Sequence, residues 1–353
     1  MADVGDRRSK APPAKAPVRR ELGRGERVLP GVFRLRLPLP WPGVPHCNAW
    51  AVAAKDGFVL FDTGMHQPPD SLANLERALA MCDLRLEQAR LVVCTHAHSD
   101  HYGQAAAIVA RTGCELWMHP NHQHMTRMAE DPDAVLARRL EVARQSGVPE
   151  KPLREYAAER GSRRSGISGV IEPDRDLLGG VTIATDLGEW MVYETPGHAP
   201  SHVCFFQPER RLLVSGDHLL GRISLYFDYG YTPDPVGEFL HSLDVVEKLG
   251  ARLCLPGHGR TFTDVHAHIR ANRELVRQRL ASVTDALGAG ALTAFQIVPH
   301  VYGDSLSGHN THWLLSKILS YLTHLQAVGA VRRIAGDDGQ PERWAAYLAD
   351  AHR

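Results

Sequence analysis

The sequence lacks the features that mark membrane proteins, secreted proteins and general binders of polyanions. No stretch approaches the roughly 20 consecutive apolar residues of a membrane span. No apolar segment follows the charges near the start of the chain, so we expect no secretory signal. The 40 basic side chains equal the 40 acidic ones, which argues against non-specific binding to nucleic acid, although a neutral total leaves room for a local basic patch.

Cysteine is scarce, and its spacing indicates no disulfide framework. The chain contains six cysteines and no CxxC pair, and several cysteines lie in apolar runs such as LVVCTH and RLCLPGH. We therefore expect buried free thiols and a cytoplasmic protein in a reducing compartment.

The length of 353 residues predicts about two domains. Residues 1–27 are rich in Lys, Arg, Pro and Ala without apolar periodicity, which predicts a disordered basic tail. A solvated tail explains this composition better than an arm that binds nucleic acid, because acidic residues are interspersed. Residues 28–264 alternate strand-like and helical runs, which is typical of an α/β domain.

Two further segments have helical patterns. Residues 121–167 predict a helical insertion of the kind that covers a site. Residues 265–353 predict a long helix, two more helices and a strand–turn–strand unit, which together form a small winged-helix-like appendage. The segment NTHWLLSKILSYLTHLQAV in this appendage has one Lys and no Arg. Packing or homo-oligomer contacts therefore explain its apolar side chains better than DNA binding does.

The 20 histidines are the most unusual feature of the composition, and four ligand-type side chains are grouped in one motif. The motif is His96-x-His98-x-Asp100-His101, directly after the apolar run LVVC. A regular strand places His96 and His98 on one face but not His101, so a loop that turns back must gather them. Imidazole and carboxylate ligands suit zinc, and also iron or manganese. A metal site explains this motif better than a His-rich surface loop.

Three more candidate ligands follow later strand-like runs, each directly after a glycine. They are His198 after WMVYETPG, Asp217 after LLVSG and His258 after RLCLPG. Small residues at strand ends allow a side chain to leave the sheet edge without steric cost. The repetition predicts that polar side chains leave several buried strands at the same edge of a sheet.

In their order and spacing, HxHxDH, PGH, SGD and PGHG resemble the motifs of the metallo-β-lactamase superfamily, and FDTG upstream matches its first motif. The resemblance covers about residues 30–270. It implies an αββα sandwich with two metal ions at one edge of two packed sheets. One ion would be held by His96, His98 and His198, the other by Asp100, His101 and His258, with Asp217 bridging them and Asp62 supporting a ligand or the loop.

The resemblance also implies a binuclear hydrolase, with zinc as the expected ion and iron or manganese as alternatives. Such a pair lowers the pKa of a shared water, and the hydroxide attacks an electrophilic carbonyl or phosphorus. Asp100 is the candidate catalytic residue that orients the nucleophile or accepts its proton. A mononuclear persulfide dioxygenase is a related alternative, which the complete ligand set disfavours.

The C-terminal appendage is similar to that of glyoxalase-II-like and beta-lactamase-like hydrolases, one branch of which contains endoribonucleases. We expect a small-molecule acyl substrate, either a thioester or a lactone. Arg163 and Arg164 are candidates to meet a phosphate of coenzyme A or an acidic carrier. Tyr226 and Tyr229 are candidate substrate contacts or oxyanion donors. Cleavage of single-stranded RNA is the second hypothesis, and a winged-helix binding or regulatory module is the alternative from another class.

The remaining histidines near these motifs receive structural interpretations. His202 is expected to make a structural hydrogen bond rather than to ligate a metal. His119, His122 and His124, at the start of the predicted insertion, are expected to have strand-end or surface roles.

Overall fold

Two mixed β-sheets pack face to face in the computed structural model of the chain, which describes residues 22–41, 43–67, 69–161, 165–303, 311–336 and 339–347. The first sheet has seven strands that lie side by side in chain order. Its first four strands are antiparallel, and the remaining ones join in parallel. The strands are β1 Arg24–Leu29, β2 Val32–Trp41, β3 Val44–Ala54, β4 Gly57–Phe61, β5 Ala89–Val93, β6 Glu115–Met118 and β7 Arg175–Asp176.

The second sheet has five strands in the order β12-β11-β10-β9-β8. The β11–β12 pair is parallel and the other pairs are antiparallel. The strands are β8 Thr182–Thr185, β9 Gly188–Glu194, β10 Val203–Gln207, β11 Leu212–Gly216 and β12 Leu253–Pro256. Every residue of β10 and β11 is buried, as expected for short apolar runs that are covered on both faces.

Helices cover the outer face of each sheet. In chain order they are α1 Ser71–Ala80, α2 Ser99–Tyr102, α3 Ala105–Thr112, α4 Gln123–Glu130, α5 Pro132–Gln145, α6 Glu150–Gly161, α7 Pro235–Leu249, α8 Val265–Leu287, α9 Ala294–Tyr302 and α10 Thr311–Ala327. Short 3₁₀ turns at Leu86–Gln88 and Pro120–His122 precede β5 and α4.

Three apolar clusters define the layers of the fold. One lies between the first sheet and its helices, where Leu35 and Leu60 pack with Leu79. A second lies between the two sheets, where the ring centroids of Phe61 and Phe205 are 5.0 Å apart. The third joins Leu213 of β11 to the helices beyond the second sheet. Helix, sheet, sheet and helix layers therefore follow one another, which is the predicted αββα sandwich.

The C-terminal part continues the third apolar cluster. Leu322 of α10 and Val331 of the last hairpin lie in the same buried cluster as Leu213 and Leu243. The hairpin consists of β13 Val331–Ile334 and β14 Arg343–Ala346, which pair antiparallel. The predicted order of long helix, two helices and hairpin is present, whereas the winged-helix character and the domain boundaries stay predictions.

The helices α4, α5 and α6 occupy most of the segment for which a helical insertion is predicted. Over the part of the chain that the structure describes, no helix is both long enough and apolar enough to cross a membrane. All six cysteines are buried and none forms a disulfide, which agrees with the prediction of free thiols. The cytoplasmic location stays a prediction.

Candidate metal centre

The seven predicted ligand side chains converge at one rim of the two sheets. His96 and His98 follow β5, and Asp100 and His101 lie in the short helix α2 directly after them. The other three follow strands of the second sheet: His198 after β9, Asp217 after β11 and His258 after β12.

His96, His98 and His198 form the first group of imidazoles. His98 Nδ1 lies 2.9 Å from His96 Nε2 and 3.0 Å from His198 Nε2. His198 Nδ1 lies 3.1 Å from the carbonyl oxygen of Tyr226, and His98 Nε2 lies 2.7 Å from Asp228 Oδ2. Because a carbonyl and a carboxylate only accept hydrogen bonds, the outer nitrogens of His198 and His98 carry the protons.

The outer nitrogen of His96 is fixed in the same way. The hydroxyl of Thr95 donates to Asp62 Oδ2 at 3.0 Å, so this hydroxyl accepts from His96 Nδ1 at 2.9 Å. The three inner nitrogens then direct lone pairs at one another with no proton between them. Burial lowers the pKa of His198 to about 4 and that of His96 well below its ordinary value. A bound cation satisfies all three lone pairs, so this group fits a metal ion.

Asp100, His101, His258 and Asp217 form the second group. Asp100 Oδ2 lies 3.1 Å from His258 Nε2 and 3.5 Å from His101 Nε2. Asp217 Oδ1 lies 3.3 Å from His101 Nε2, whereas Oδ2 faces both groups, at 3.4 Å from His258 Nε2 and 3.7 Å from His198 Nε2. Asp217 is therefore the one carboxylate placed to reach both groups among the described residues.

Two polar atoms of the second group are buried without a hydrogen-bond partner. His101 Nε2 and Asp217 Oδ1 make no hydrogen bond. Burial lowers the pKa of His258, but the carboxylates of Asp217 and Asp100 outweigh it and raise this pKa to about 10. The proton on His258 occupies the position in which a cation is expected between these carboxylates and imidazoles. In several sets of three residues, the possible ligand atoms lie within 4.8 Å of one another. Two of these sets are His96–His98–His198 and Asp100–His101–His258.

Two glycines allow the candidate ligands to approach this closely. A Cβ at Gly257 would collide with Asp217 and His101. Gly197 has φ +122°, and a Cβ there would lie 2.5 Å from the backbone nitrogen of Phe239. Only glycine avoids both collisions, which explains the glycine in each PGH motif.

Asp62 makes hydrogen bonds to the second group and to the loop before it. Its carboxylate accepts from the backbone nitrogen of Thr95 at 2.7 Å and from His101 Nδ1 at 2.8 Å. The residue adopts a left-handed backbone with φ 61°, which turns the chain at the end of β4. Asp62 thus contacts one candidate ligand, His101, and the start of the loop that carries His96 and His98.

Asp228 and His124 belong to the surroundings of the site, and sequence reasoning missed both. Asp228 Oδ2 lies 2.7 Å from His98 Nε2 and 3.3 Å from His124 Nε2. Burial lowers the pKa of His98, but the charge and hydrogen bond of Asp228, together with the charges of Asp100 and Asp217, outweigh burial and raise it. The signal for Asp228 is a lone acid in the aromatic run SLYFDYGY. The expected strand-end or surface role of His124 is wrong, since only 4% of its side chain is exposed.

Tyr226 and Tyr229 lie in different surroundings. The ring of Tyr226 lies 5.7 Å from His198 and 6.0 Å from His98, centroid to centroid. Tyr229 instead packs against the third apolar cluster, and its backbone nitrogen donates to Ser316 Oγ of α10 at 3.3 Å. Its described contacts are therefore with the core and not with the metal centre.

The other predicted residues near the site are placed as follows. Thr195 Oγ1 lies 2.8 Å from His202 Nδ1, and His202 Nε2 accepts from the backbone nitrogen of Asp217 at 3.1 Å. His202 thus makes the structural hydrogen bonds expected of it. Arg163 and Arg164 lie outside the described residues, so their contact with substrate stays a prediction.

The sequence matches the model of the metallo-beta-lactamase superfamily over residues 42–258. A probable metallo-hydrolase of Bacillus subtilis, YqjP, is 26% identical over 283 residues, which cover 77% of this chain and 85% of the relative. An atrochrysone carboxyl ACP thioesterase of Aspergillus chevalieri is 29% identical over 144 residues, or 37% of this chain and 44% of that protein.

Solved structures show the same fold. A metallo-beta-lactamase family protein of Thermus thermophilus superposes with a TM-score of 0.77 at 25% identity, over 91% of this chain and 100% of that chain. A beta-lactamase domain protein of Burkholderia ambifaria gives a TM-score of 0.79 at 25% identity, over 92% and 94% of the two chains. The chain belongs to the metallo-beta-lactamase superfamily, and the predicted fold and the prediction of a hydrolase of that superfamily are confirmed.

Proposed function

We propose that the protein is a binuclear metal-dependent hydrolase that cleaves a thioester with an apolar acyl group. The observation that carries the proposal is the convergence of buried imidazole lone pairs with the carboxylates of Asp100 and Asp217 at one rim. We assign one ion to His96, His98 and His198, a second ion to Asp100, His101 and His258, and Asp217 to both.

Zinc is the ion that we propose, because the first group consists of three imidazoles and the second combines two imidazoles with two carboxylates, and zinc binds both kinds of ligand. A pair of such ions, when bound, would lower the pKa of water so that hydroxide is available near neutral pH. The protein keeps the outer nitrogens of His96, His98 and His198 protonated, so that the lone pairs of the inner nitrogens in the neutral rings are directed at a bound ion. We assign to Asp100 the orientation of the nucleophile and the acceptance of its proton.

The surface beside the metal centre supports an apolar acyl group. Tyr226 adjoins His198, Trp313 of α10 lies 6.4 Å from Tyr226, and Trp41 at the end of β2 lies 6.0 Å from Trp313, between ring centroids. We call Trp41, Trp313 and Tyr226 the aromatic wall. Trp313 is 37% exposed, so its ring is available to a ligand. Aromatic faces of this kind bind apolar groups at low cost in conformational entropy.

The comparison with the Aspergillus protein supports a thioester as the reactive group. That protein is named as a thioesterase for an acyl group on a carrier protein. The match covers less than half of each chain, so the identity of the acyl group and of its carrier is the part of the proposal that experiment must supply.

Metal analysis joined to a substrate panel tests the proposal. Purified protein is dialysed, its zinc, iron and manganese are counted, and it is assayed on an acyl-CoA, S-lactoylglutathione, an acyl-homoserine lactone, a β-lactam and a single-stranded RNA. We expect two zinc ions per chain and the fastest turnover on a thioester, with activity lost on chelation and restored by zinc. Cleavage of RNA alone, or a single iron with oxygen uptake on a persulfide, contradicts the proposal.

A further inference from the structure

The helical insertion contributes a buried histidine to the surroundings of the metal centre. His124 lies in the first turn of α4, with its Nδ1 2.8 Å from the carbonyl oxygen of Asn121. Its Nε2 lies 3.3 Å from Asp228 Oδ2, which is an ion-pair distance without hydrogen-bond geometry, and 4% of its side chain is exposed. The insertion and the loop that carries Asp228 therefore meet at a buried polar contact.

Asp228 continues this contact to the metal centre. The oxygen that faces His124 is also the one that lies 2.7 Å from His98 Nε2. The backbone nitrogen of Asp228 donates to the carbonyl oxygen of His198 at 3.1 Å. Asp228 thus contacts two of the three imidazole-bearing residues of the first group, one through its side chain and one through its backbone.

The contact with Asp228 determines which nitrogen of His98 faces the centre. A buried carboxylate keeps the proton on Nε2 and fixes the ring, so Nδ1 is directed at His96 and His198. The ring of His124 restricts the rotation of that carboxylate from its other side. Loss of either group frees the ring of His98 to turn, which weakens binding of an ion at the first group.

We propose that Asp228 and His124 are positioning residues that connect the helical insertion to the first group of ligands. The inference rests on the proposed function, because it assumes an ion at His96, His98 and His198. His124, a residue of the insertion that binds no ion itself, strengthens the binding of an ion to this group. The packing of the insertion against the site and the binding of the ion therefore stabilise each other.

Cobalt titration of the full-length, metal-free protein tests the inference. Cobalt replaces zinc and gives visible absorbance bands that report ligand geometry, and His198→Ala identifies the binding step that belongs to the first group. The test variants are Asp228→Asn, His124→Ala and His124→Gln. The matched control is His122→Ala, because His122 lies two residues away, is 5% exposed and has its Nδ1 3.5 Å from Thr126 Oγ1.

We expect Asp228→Asn and His124→Ala to weaken cobalt binding at the first group by about 10- to 100-fold, which is typical when a hydrogen-bond partner of a metal ligand is removed. Cobalt binding at the second group, and the absorbance bands of the ion bound there, stay unchanged. His124→Gln, whose amide can donate to the same carboxylate, restores most of the affinity, and His122→Ala leaves it unchanged.

Two results overturn the inference while leaving the proposed function intact. One is wild-type affinity in both Asp228→Asn and His124→Ala. The other is a third ion in the wild-type protein that His124→Ala loses, which makes His124 a ligand. A wild-type protein that binds no cobalt at all refutes the proposed function itself.

Discussion

The carboxylate of Asp62 and the imidazole of His101 form a buried contact of 2.8 Å between Oδ2 and Nδ1, with side chains 1% and 0% exposed. The same carboxylate accepts two hydrogen bonds from Thr95. Asp62 therefore fixes the start of the HxHxDH loop and the orientation of His101 together.

The substitution Asp62→Asn tests this double role. The carboxylate of Asp62 accepts from three buried donors, the backbone nitrogen and hydroxyl of Thr95 and Nδ1 of His101. An amide has one acceptor oxygen, and its nitrogen only donates, so at least one of these donors loses its partner. We expect a loss of about 1–3 kcal/mol in the free energy of unfolding, measured with denaturant on metal-free protein.

The matched control for Asp62→Asn is Asp56→Asn. Asp56 also has a left-handed backbone, with φ 60°, but it is exposed in the turn before β4. We expect a change within about 0.5 kcal/mol for this surface position. Equal effects of the two substitutions would show that backbone conformation, and not the hydrogen bonds of Asp62, sets the cost.

Removal of the Asp217 carboxylate should affect both proposed ions. Its Oδ1 faces His101 of the second group, and its Oδ2 lies near both His258 of the second group and His198 of the first. We expect Asp217→Ala, dialysed and analysed for metal, to retain less than one zinc per chain. Asp244→Ala on the surface of α7 is the control and should retain two, while two ions in Asp217→Ala would refute the bridging assignment.

The stability of the metal-free protein should fall as the pH rises from about 6.5 to about 10. The carboxylates of Asp217 and Asp100 raise the pKa of His258 from 6.5 to about 10 in the folded chain. A raised pKa stabilises the fold fully below the unfolded value, and this contribution is lost as the pH rises through the folded value. Denaturant unfolding at several pH values measures the slope. The free energy of unfolding should depend less steeply on pH in His258→Gln. An equal pH dependence in that variant would contradict the assignment of the effect to His258.

The aromatic wall predicts a difference between apolar and small acyl groups. We expect Trp313→Ala to raise the KM for a long-chain acyl thioester about tenfold, equivalent to about 1.4 kcal/mol of lost binding. An acetyl thioester should be affected less than threefold, and Trp313→Phe should retain most of the affinity. Equal changes for both substrates in steady-state assays would place the acyl group elsewhere.

The six thiols should be inert in the folded protein. All of them are buried, and burial raises the pKa of Cys204 to about 12. A thiolate is the reactive species, so a disulfide reagent should label none of the thiols rapidly in buffer and all six in guanidinium chloride. Rapid labelling of one thiol in buffer would reveal local opening at that position.

The candidate ligands could be predicted from sequence because three of them directly follow a glycine at the end of an apolar run, and the other four are grouped within six residues after the run LVVC. His198 and His258, for example, both follow Pro-Gly at the end of a buried strand. The carboxyl ends of such strands meet at one rim, so a one-dimensional pattern was enough to place them.

The outer contacts could not be predicted in this way. Asp228 and His98 are 130 residues apart, and no local pattern connects them. His124 is one of several histidines in its segment, and only the packing of α4 determines which of them reaches Asp228. The aromatic wall likewise joins Trp41 and Trp313 from distant parts of the chain.

Ser316 links the last long helix to the loop that borders the metal centre. Its hydroxyl donates to the carbonyl oxygen of Phe227 at 2.8 Å and accepts from the nitrogen of Tyr229 at 3.3 Å. These two residues flank Asp228 on both sides. Shortening the protein before α10 would therefore remove the support of that loop along with part of the core, and anyone designing a minimal catalytic fragment must keep the C-terminal helices.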